Sequence, residues 1–173
     1  MIIALTALIL NSASVAATPE LVPSQLSEIF QSACLDGEAR LAQGSAVPVD
    51  FNDLPDELRG RLGSPTSSKV WKINTEGSAF LYLVEYPAGS SPNSHVCGLA
   101  SELMDSHEAV DTIEKRVTGK ASHDYQPSMQ WLSPQAGYRA VVTSAGKFKI
   151  AQIDWLTDAQ RNAAMKVYNQ IDH

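Results

Sequence analysis

The chain has 173 residues, with 19 acidic and 13 basic side chains and a net charge of -6. Because the basic residues are scattered, no positive stripe is available to displace counterions from nucleic acid or to attract anionic lipid. We therefore expect neither as a partner, and residues 18–173 are sufficient for one domain with a sizeable core.

The N-terminal stretch is typical of a secretory signal peptide. An apolar run over residues 2–10 is followed by small residues that end at Ala17. The run is too short to cross a bilayer, which takes about 20 apolar residues. We predict that residues 1–17 are a cleaved signal and that residues 18–173 form a single α+β domain. The mature protein is then periplasmic or secreted, with no stable membrane insertion.

The two cysteines, Cys34 and Cys97, are predicted to form a disulfide. An exported chain folds in an oxidising compartment, where an even number of cysteines favours pairing. Closing so long a loop stabilises a fold by about 4 kcal/mol on the chain-entropy model. The alternative is a pair of buried free thiols.

Two helices are predicted before the first strand. The first begins at Ser24, either breaks or only weakens at Gly37, and has Gly44 at its end. One apolar stripe at helical spacing is formed by Leu26, Ile29, Phe30, Ala33 and Cys34. The second is short, with Asp53 as its cap, and ends at Gly63.

From Lys69 onward the pattern alternates as in strands, which are predicted at 70–73, 79–86, 95–100, 129–132, 138–144 and 147–155. Segment 79–86 is apolar on both faces and is therefore expected at the centre of the sheet. In segment 147–155 the apolar phase slips, which predicts a β-bulge near Ala151. Capping signals at Asp105 and at Thr157 with Gln160 predict two later helices.

These elements predict an α+β fold of two layers. Its largely antiparallel sheet has about five or six strands, with the N-terminal helices and the two later helices packed on it. The order of three strands and a helix occurs twice, with Trp71 and Trp131 in similar places. No residue string repeats, so the sequence leaves open whether the two units arose by duplication.

Two groups of residues are candidates for chemistry. His95 and Cys97 share a strand face, and with Asp105 and His107 they suggest a thiol nucleophile or a metal site, whose ligands would be His95, Asp105 and His107. The alternative is a disulfide cysteine beside a strand-end histidine and a capping aspartate. In the second group, Asp124 could orient His123 as a general base, or both belong to a solvated turn.

No cofactor motif occurs, so no cofactor is predicted. The leading hypothesis is a small, exported, non-catalytic binding or accessory protein, whose partner is a small molecule or another exported protein. One alternative is a hydrolase-type enzyme that uses a histidine in a pocket over the sheet. Another is an inhibitory or structural interaction module that presents the loop 87–94. The ligand and the oligomeric state are not determined by the sequence.

Overall fold

A computed structural model describes residues 23–37, 45–87, 95–117, 120–122 and 128–171. The predicted signal peptide, the pair His123 and Asp124, and residues 88–94 of the predicted loop lie outside them. The helices are α1 (Pro23–Phe30), which continues as a π-helical turn (Gln31–Leu35), α2 (Asp56–Leu62), α3 (Ser106–Glu114) and α4 (Asp158–Ile171). The strands are β1 (Ala46–Val49), β2 (Ser67–Ile73), β3 (Ala79–Glu85), β4 (His95–Ser101), β5 (Lys120–Ser122), β6 (Met129–Ser133), β7 (Tyr138–Ala145) and β8 (Phe148–Trp155).

The strands form one sheet in the order β1-β2-β3-β4-β8-β7-β6-β5, and every neighbouring pair is antiparallel. The predicted α+β class and antiparallel sheet are confirmed, but the sheet has eight strands rather than five or six. The two additional strands, β1 and β5, are its edges. Both are short, and β1 contains Pro48, which an edge strand tolerates and which disguises the strand in the sequence.

The predicted two-layer arrangement differs from the structure, because helices cover both faces of the sheet. On the face that we call the α1–α3 face, these two helices pack against residues including Leu81, Leu99, Trp131 and Ile153. On the opposite face, the α2 face, Leu54, Leu58 and Leu62 cover Val70, Phe80, Val84, Phe148 and Ile150. The central strands are apolar on both sides, so burial of one face alone would leave the other in water.

The β-bulge expected near Ala151 is wrong. β8 pairs in continuous register with β7, from Ala145 opposite Phe148 to Tyr138 opposite Trp155, and it pairs without interruption with β4. Both apolar phases are buried because each faces its own helical layer. What resembles a slip of phase is therefore a strand with two buried faces.

Local capping signals predict the starts of α3 and α4. The cap predicted at Asp53 is wrong, because Asp53 ends a short 3-10 helix (Phe51–Asp53) and α2 begins at Asp56 without a side-chain cap. The Asp105 side chain accepts a hydrogen bond from the His107 backbone N–H at 2.7 Å, and α3 begins directly after it. Thr157 and Gln160 form the expected reciprocal pair at the start of α4. The first helix ends before Gly37, which is one of the two outcomes that the sequence left open, and Gly37 has a φ of 69° that favours glycine.

The sheet consists of two four-stranded meanders joined side by side through β4 and β8. Each meander is followed by a helix, so the repeated unit has four strands rather than the three that the sequence indicates. Trp71 and Trp131 lie on the second strand of each meander. Trp71 on β2 lies opposite Leu81 on β3, and Trp131 on β6 lies opposite Ala140 on β7.

Cys34 and Cys97 lie with their sulfur atoms at disulfide distance, and their Cα atoms are 5.5 Å apart. Cys34 is on the π-helical turn and Cys97 on β4, and both are almost completely buried. The predicted position of the bridge, between the first helix and the sheet, is confirmed. Within the part of the chain that is described, none of the helices has the length and apolar character required to cross a membrane.

Replacing both Cys34 and Cys97 with serine is expected to lower the free energy of unfolding by roughly 2–5 kcal/mol, because the unfolded chain loses its cross-link. Urea unfolding monitored by circular dichroism measures this change, and the native far-ultraviolet spectrum should stay the same. Two thiols that react with an alkylating agent in the native, unreduced protein would contradict the bridge.

Candidate functional site

Two pockets open on opposite faces of the sheet at the same end, where β3 ends, β4 begins and β8 ends. The Asp154 pocket lies on the α2 face, has a volume of about 560 Å³ and includes Arg139, Gln152 and Asp154 in its lining. The His95 pocket lies on the α1–α3 face, has a volume of about 550 Å³ and includes His95, Glu85 and Trp155. Both volumes are in the range of small-molecule sites.

The floor of the Asp154 pocket is a polar network in an otherwise apolar sheet face. Arg139 and Asp154 stand directly opposite each other on β7 and β8. The Arg139 guanidinium donates to Asp154 Oδ2 through Nε, at 3.0 Å, and also through Nη2. Gln152 lies two residues before Asp154 on the same face and donates its amide to Oδ1. Both carboxylate oxygens are therefore engaged.

Tyr82 extends the network across β4. Its hydroxyl donates to Gln152 Oε1 at 2.8 Å, although β4 lies between the two strands. The residue that separates them in register is Gly98, and a Cβ at this position would overlap the ring and hydroxyl of Tyr82. Gly98 is therefore the space through which the Tyr82 side chain reaches β8.

The electrostatics of the network keep Tyr82 a hydrogen-bond donor. Burial raises the pKa of Tyr82 well above its ordinary value, and Asp154 raises it further, while the Arg61 guanidinium acts in the opposite direction. Tyr82 is therefore protonated at neutral pH and donates to Gln152, whose amide N–H is directed toward Asp154. The Tyr82 hydroxyl proton therefore occupies Gln152 Oε1, which leaves the amide N–H group of Gln152 to donate to Asp154.

Asp154 is the most deeply buried charge in the network. Its side chain is 1% exposed, whereas that of Arg139 is 29% exposed. Removing a carboxylate from water costs several kcal/mol, and apolar replacement of a buried ion pair is often neutral or stabilising. Stability alone therefore does not account for this ion pair, and buried charged groups lining a cleft are a common feature of functional sites.

The rim of the Asp154 pocket contains a second guanidinium and an aromatic ring. Arg61 comes from the last turn of α2, is exposed, and has no ion-pair or hydrogen-bond partner among the described residues. The Tyr86 hydroxyl donates to the Leu62 carbonyl at 2.6 Å, which holds its ring at the pocket wall. Partial burial raises the pKa of Tyr86, with Asp154 as a smaller cause in the same direction.

His95, the histidine predicted from the sequence, lies in the other pocket. Its Nε2 is 3.7 Å from Glu85 Oε1, and both side chains are more than half exposed. Leu83 and Trp155 supply the apolar part of the lining, and Ser67 lies at its margin. Across the strands the register is Ser67, Glu85, His95, so the carboxylate lies between the hydroxyl and the imidazole. A serine triad requires the histidine in that middle place.

The other predicted site residues are not brought together. Cys97 is bonded to Cys34 and offers no thiol to His95. His95 is at the first end of β4, and Asp105 and His107 follow its other end. The seven residues of this strand span about 20 Å, so the two histidines are far apart. Asp105 caps α3, and His107 lines a separate hollow of about 230 Å³. The described residues include no group of three or more side chains that could hold a metal ion.

The sequence of β8 contains a signal for Gln152 and Asp154. After Phe148 and Ile150, the same phase of β8 continues with these two polar residues. A bulge near Ala151 would turn these two side chains outward, whereas a regular strand directs them into the α2 face.

Comparison with models of known protein families, with curated proteins and with solved structures finds no match.

Gly98→Ala is expected to lower the free energy of unfolding by about 1–3 kcal/mol, because the new methyl group displaces Tyr82 from Gln152. Thermal and urea unfolding measure the change. Gly60→Ala is the matched control: Gly60 lies within α2 with no atom in the way of a Cβ, so its replacement should stabilise by roughly 0.5–1 kcal/mol. Equal stability of Gly98→Ala and the wild type would disprove the packing role of Gly98.

Proposed function

We propose that the protein is an exported, non-catalytic binding protein and that the Asp154 pocket holds its small-molecule ligand. The observation that carries this proposal is the hydrogen-bonded ionic network at the floor of the pocket. The network is formed by Arg139, Gln152, Asp154 and Tyr82, and it faces an opening large enough for a small ligand.

The form of the pocket also supports binding. Its floor lies on adjacent strands of the sheet, which hold the polar groups rigidly, and its apolar walls include Leu62 and Val96. A few fixed polar groups among apolar walls are the usual composition of a ligand site. The hydrogen bonds of the network hold Arg139 in place, and its carboxylate and tyrosine hydroxyl are both already hydrogen-bonded, so the arrangement favours recognition over bond cleavage.

Export supports the same proposal. A buried cysteine pair at disulfide distance suits an oxidising compartment, and the predicted signal peptide would lead the chain to the periplasm or out of the cell. The ligand would then be a molecule found outside the cytoplasm.

A screen of fragment-sized compounds against the isotope-labelled mature protein tests where ligands bind. We expect amide chemical-shift changes to cluster around Gly63, Val96 and Arg139. Ser64→Trp, at the mouth of the Asp154 pocket, should abolish these changes, whereas Ser67→Trp, at the margin of the His95 pocket, should leave them intact. Changes that cluster on Leu83 and Trp155 instead would transfer the binding site to the other face.

A hydrolase using His95 is the second candidate, because His95 and Glu85 do line a pocket over the sheet. If binding is the function, His95→Ala and His107→Ala should each leave fragment affinity within about twofold of the wild type, since neither lines the Asp154 pocket. Hydrolysis of p-nitrophenyl acetate measures the alternative. A rate that falls about a hundredfold in His95→Ala, with folding intact, would favour a general base and the enzyme.

A further inference from the structure

We infer that the ligand of the Asp154 pocket is a small organic acid, whose single carboxylate binds between Arg61 and Arg139 and whose apolar body lies against Tyr86 and Leu62. This inference rests on the proposed function and specifies its ligand class.

The first step is the charge balance of the pocket. Its lining contains two guanidiniums, Arg61 and Arg139, and one carboxylate, Asp154, which leaves one positive charge. This positive charge stands out on a chain whose net charge is -6. A ligand with one negative charge neutralises the pocket, whereas a cation would meet Arg61 without a compensating acid.

The second step is the number of donors that remain available. A guanidinium has five N–H donors. Arg139 uses its Nε–H and one N–H of Nη2 on Asp154. The remaining N–H groups have no acceptor among the described residues, and neither have those of Arg61. Asp154, in contrast, has both oxygens occupied by Arg139 and Gln152 and has no need of a donor from the ligand.

The third step is the match between these donors and a carboxylate. Planar N–H pairs of arginine bind planar carboxylates through two parallel hydrogen bonds. Asp154 acts here as a positioning residue, because it fixes the plane of the Arg139 guanidinium before a ligand arrives. The exposed Arg61 side chain, on the last turn of α2, lines the same pocket and can donate to the second oxygen.

The fourth step concerns the rest of the ligand. Tyr86 presents its ring, since its hydroxyl is already used on the Leu62 carbonyl, and Leu62, Pro87 and Val96 are apolar. An aromatic or branched aliphatic body fits this wall, and a second charged group would lie against it without a partner. These contacts favour a monocarboxylic acid over a sugar or a dianion.

Three related probes test the acid assignment: phenylacetate, its neutral analogue phenylacetamide, and the dianion benzyl phosphate. Binding to the full mature protein is measured by nuclear magnetic resonance titration of the backbone and arginine side-chain signals. We expect phenylacetate to saturate at the lowest concentration and to shift the Arg61 and Arg139 Nε–H signals. The other two should bind at least about tenfold more weakly, in keeping with one lost or mismatched charged contact.

Arg61→Gln and Arg59→Gln form a matched pair of variants on α2. Each removes one positive charge, but Arg59 pairs with Asp56 and lies outside the Asp154 pocket. Arg61→Gln should weaken phenylacetate about tenfold or more, while Arg59→Gln should change it less than twofold. Because Arg61 is exposed, we expect Arg61→Gln to keep the wild-type melting temperature.

The outcomes separate the acid assignment from the proposed function. If phenylacetamide or benzyl phosphate binds as well as phenylacetate, or if Arg61→Gln has no effect, the acid assignment is overturned and small-molecule binding stands. If none of the three probes shifts residues of the Asp154 pocket and the fragment screen also finds no ligand there, both proposals fail. Shifts confined to the His95 pocket likewise contradict both.

Discussion

The central strands β3, β4 and β8 are apolar on both faces, and this property shapes the rest of the molecule. A sheet with such a centre needs a cover on each side, so α1 and α3 pack on one face and α2 on the other. The bridge between Cys34 and Cys97 fastens the first of these covers to the middle of the sheet, where both sulfurs are out of contact with water. The edge strands β1 and β5 are short, with four and three residues.

The length of α2 explains why a pocket exists on its face. A helix of seven residues covers about 10 Å along its axis, whereas the eight residues of β8 extend over about 26 Å. α2 ends at Gly63, and the sheet beyond Leu62 is left open. At this point the α2-facing residues of β8 change from Phe148 and Ile150 to Gln152 and Asp154. The uncovered part of the face is therefore the part that carries the polar network.

The two pockets at this end of the sheet differ in how firmly their polar groups are held. In the Asp154 pocket, neighbouring strands set the ion pair in register, and Tyr82 reaches the network only because Gly98 lacks a side chain. In the His95 pocket, the imidazole and the Glu85 carboxylate are solvated and 3.7 Å apart. Water screens such a pair, so it orders little around it. Selective binding of a small molecule requires polar groups that are held in place, and this difference is the physical basis for preferring the Asp154 pocket.

The sequence by itself determined the features that depend on neighbours along the chain. These are the α+β class, the inward stripe that carries Cys34, the caps at Asp105 and Thr157, and the central place of β3. Each of them depends on the types of a few consecutive residues. Only the tertiary structure decided which polar residues meet, because Arg61, Tyr82, Arg139 and Asp154 come from four separate elements. Alternation along β8 is compatible with a bulge that turns Asp154 outward and with a regular strand that turns it inward. β4 and β7, which pair with β8 on either side, keep the strand regular. α2 covers the face toward which Asp154 then points, and neither of these contacts can be seen in the sequence of β8 alone.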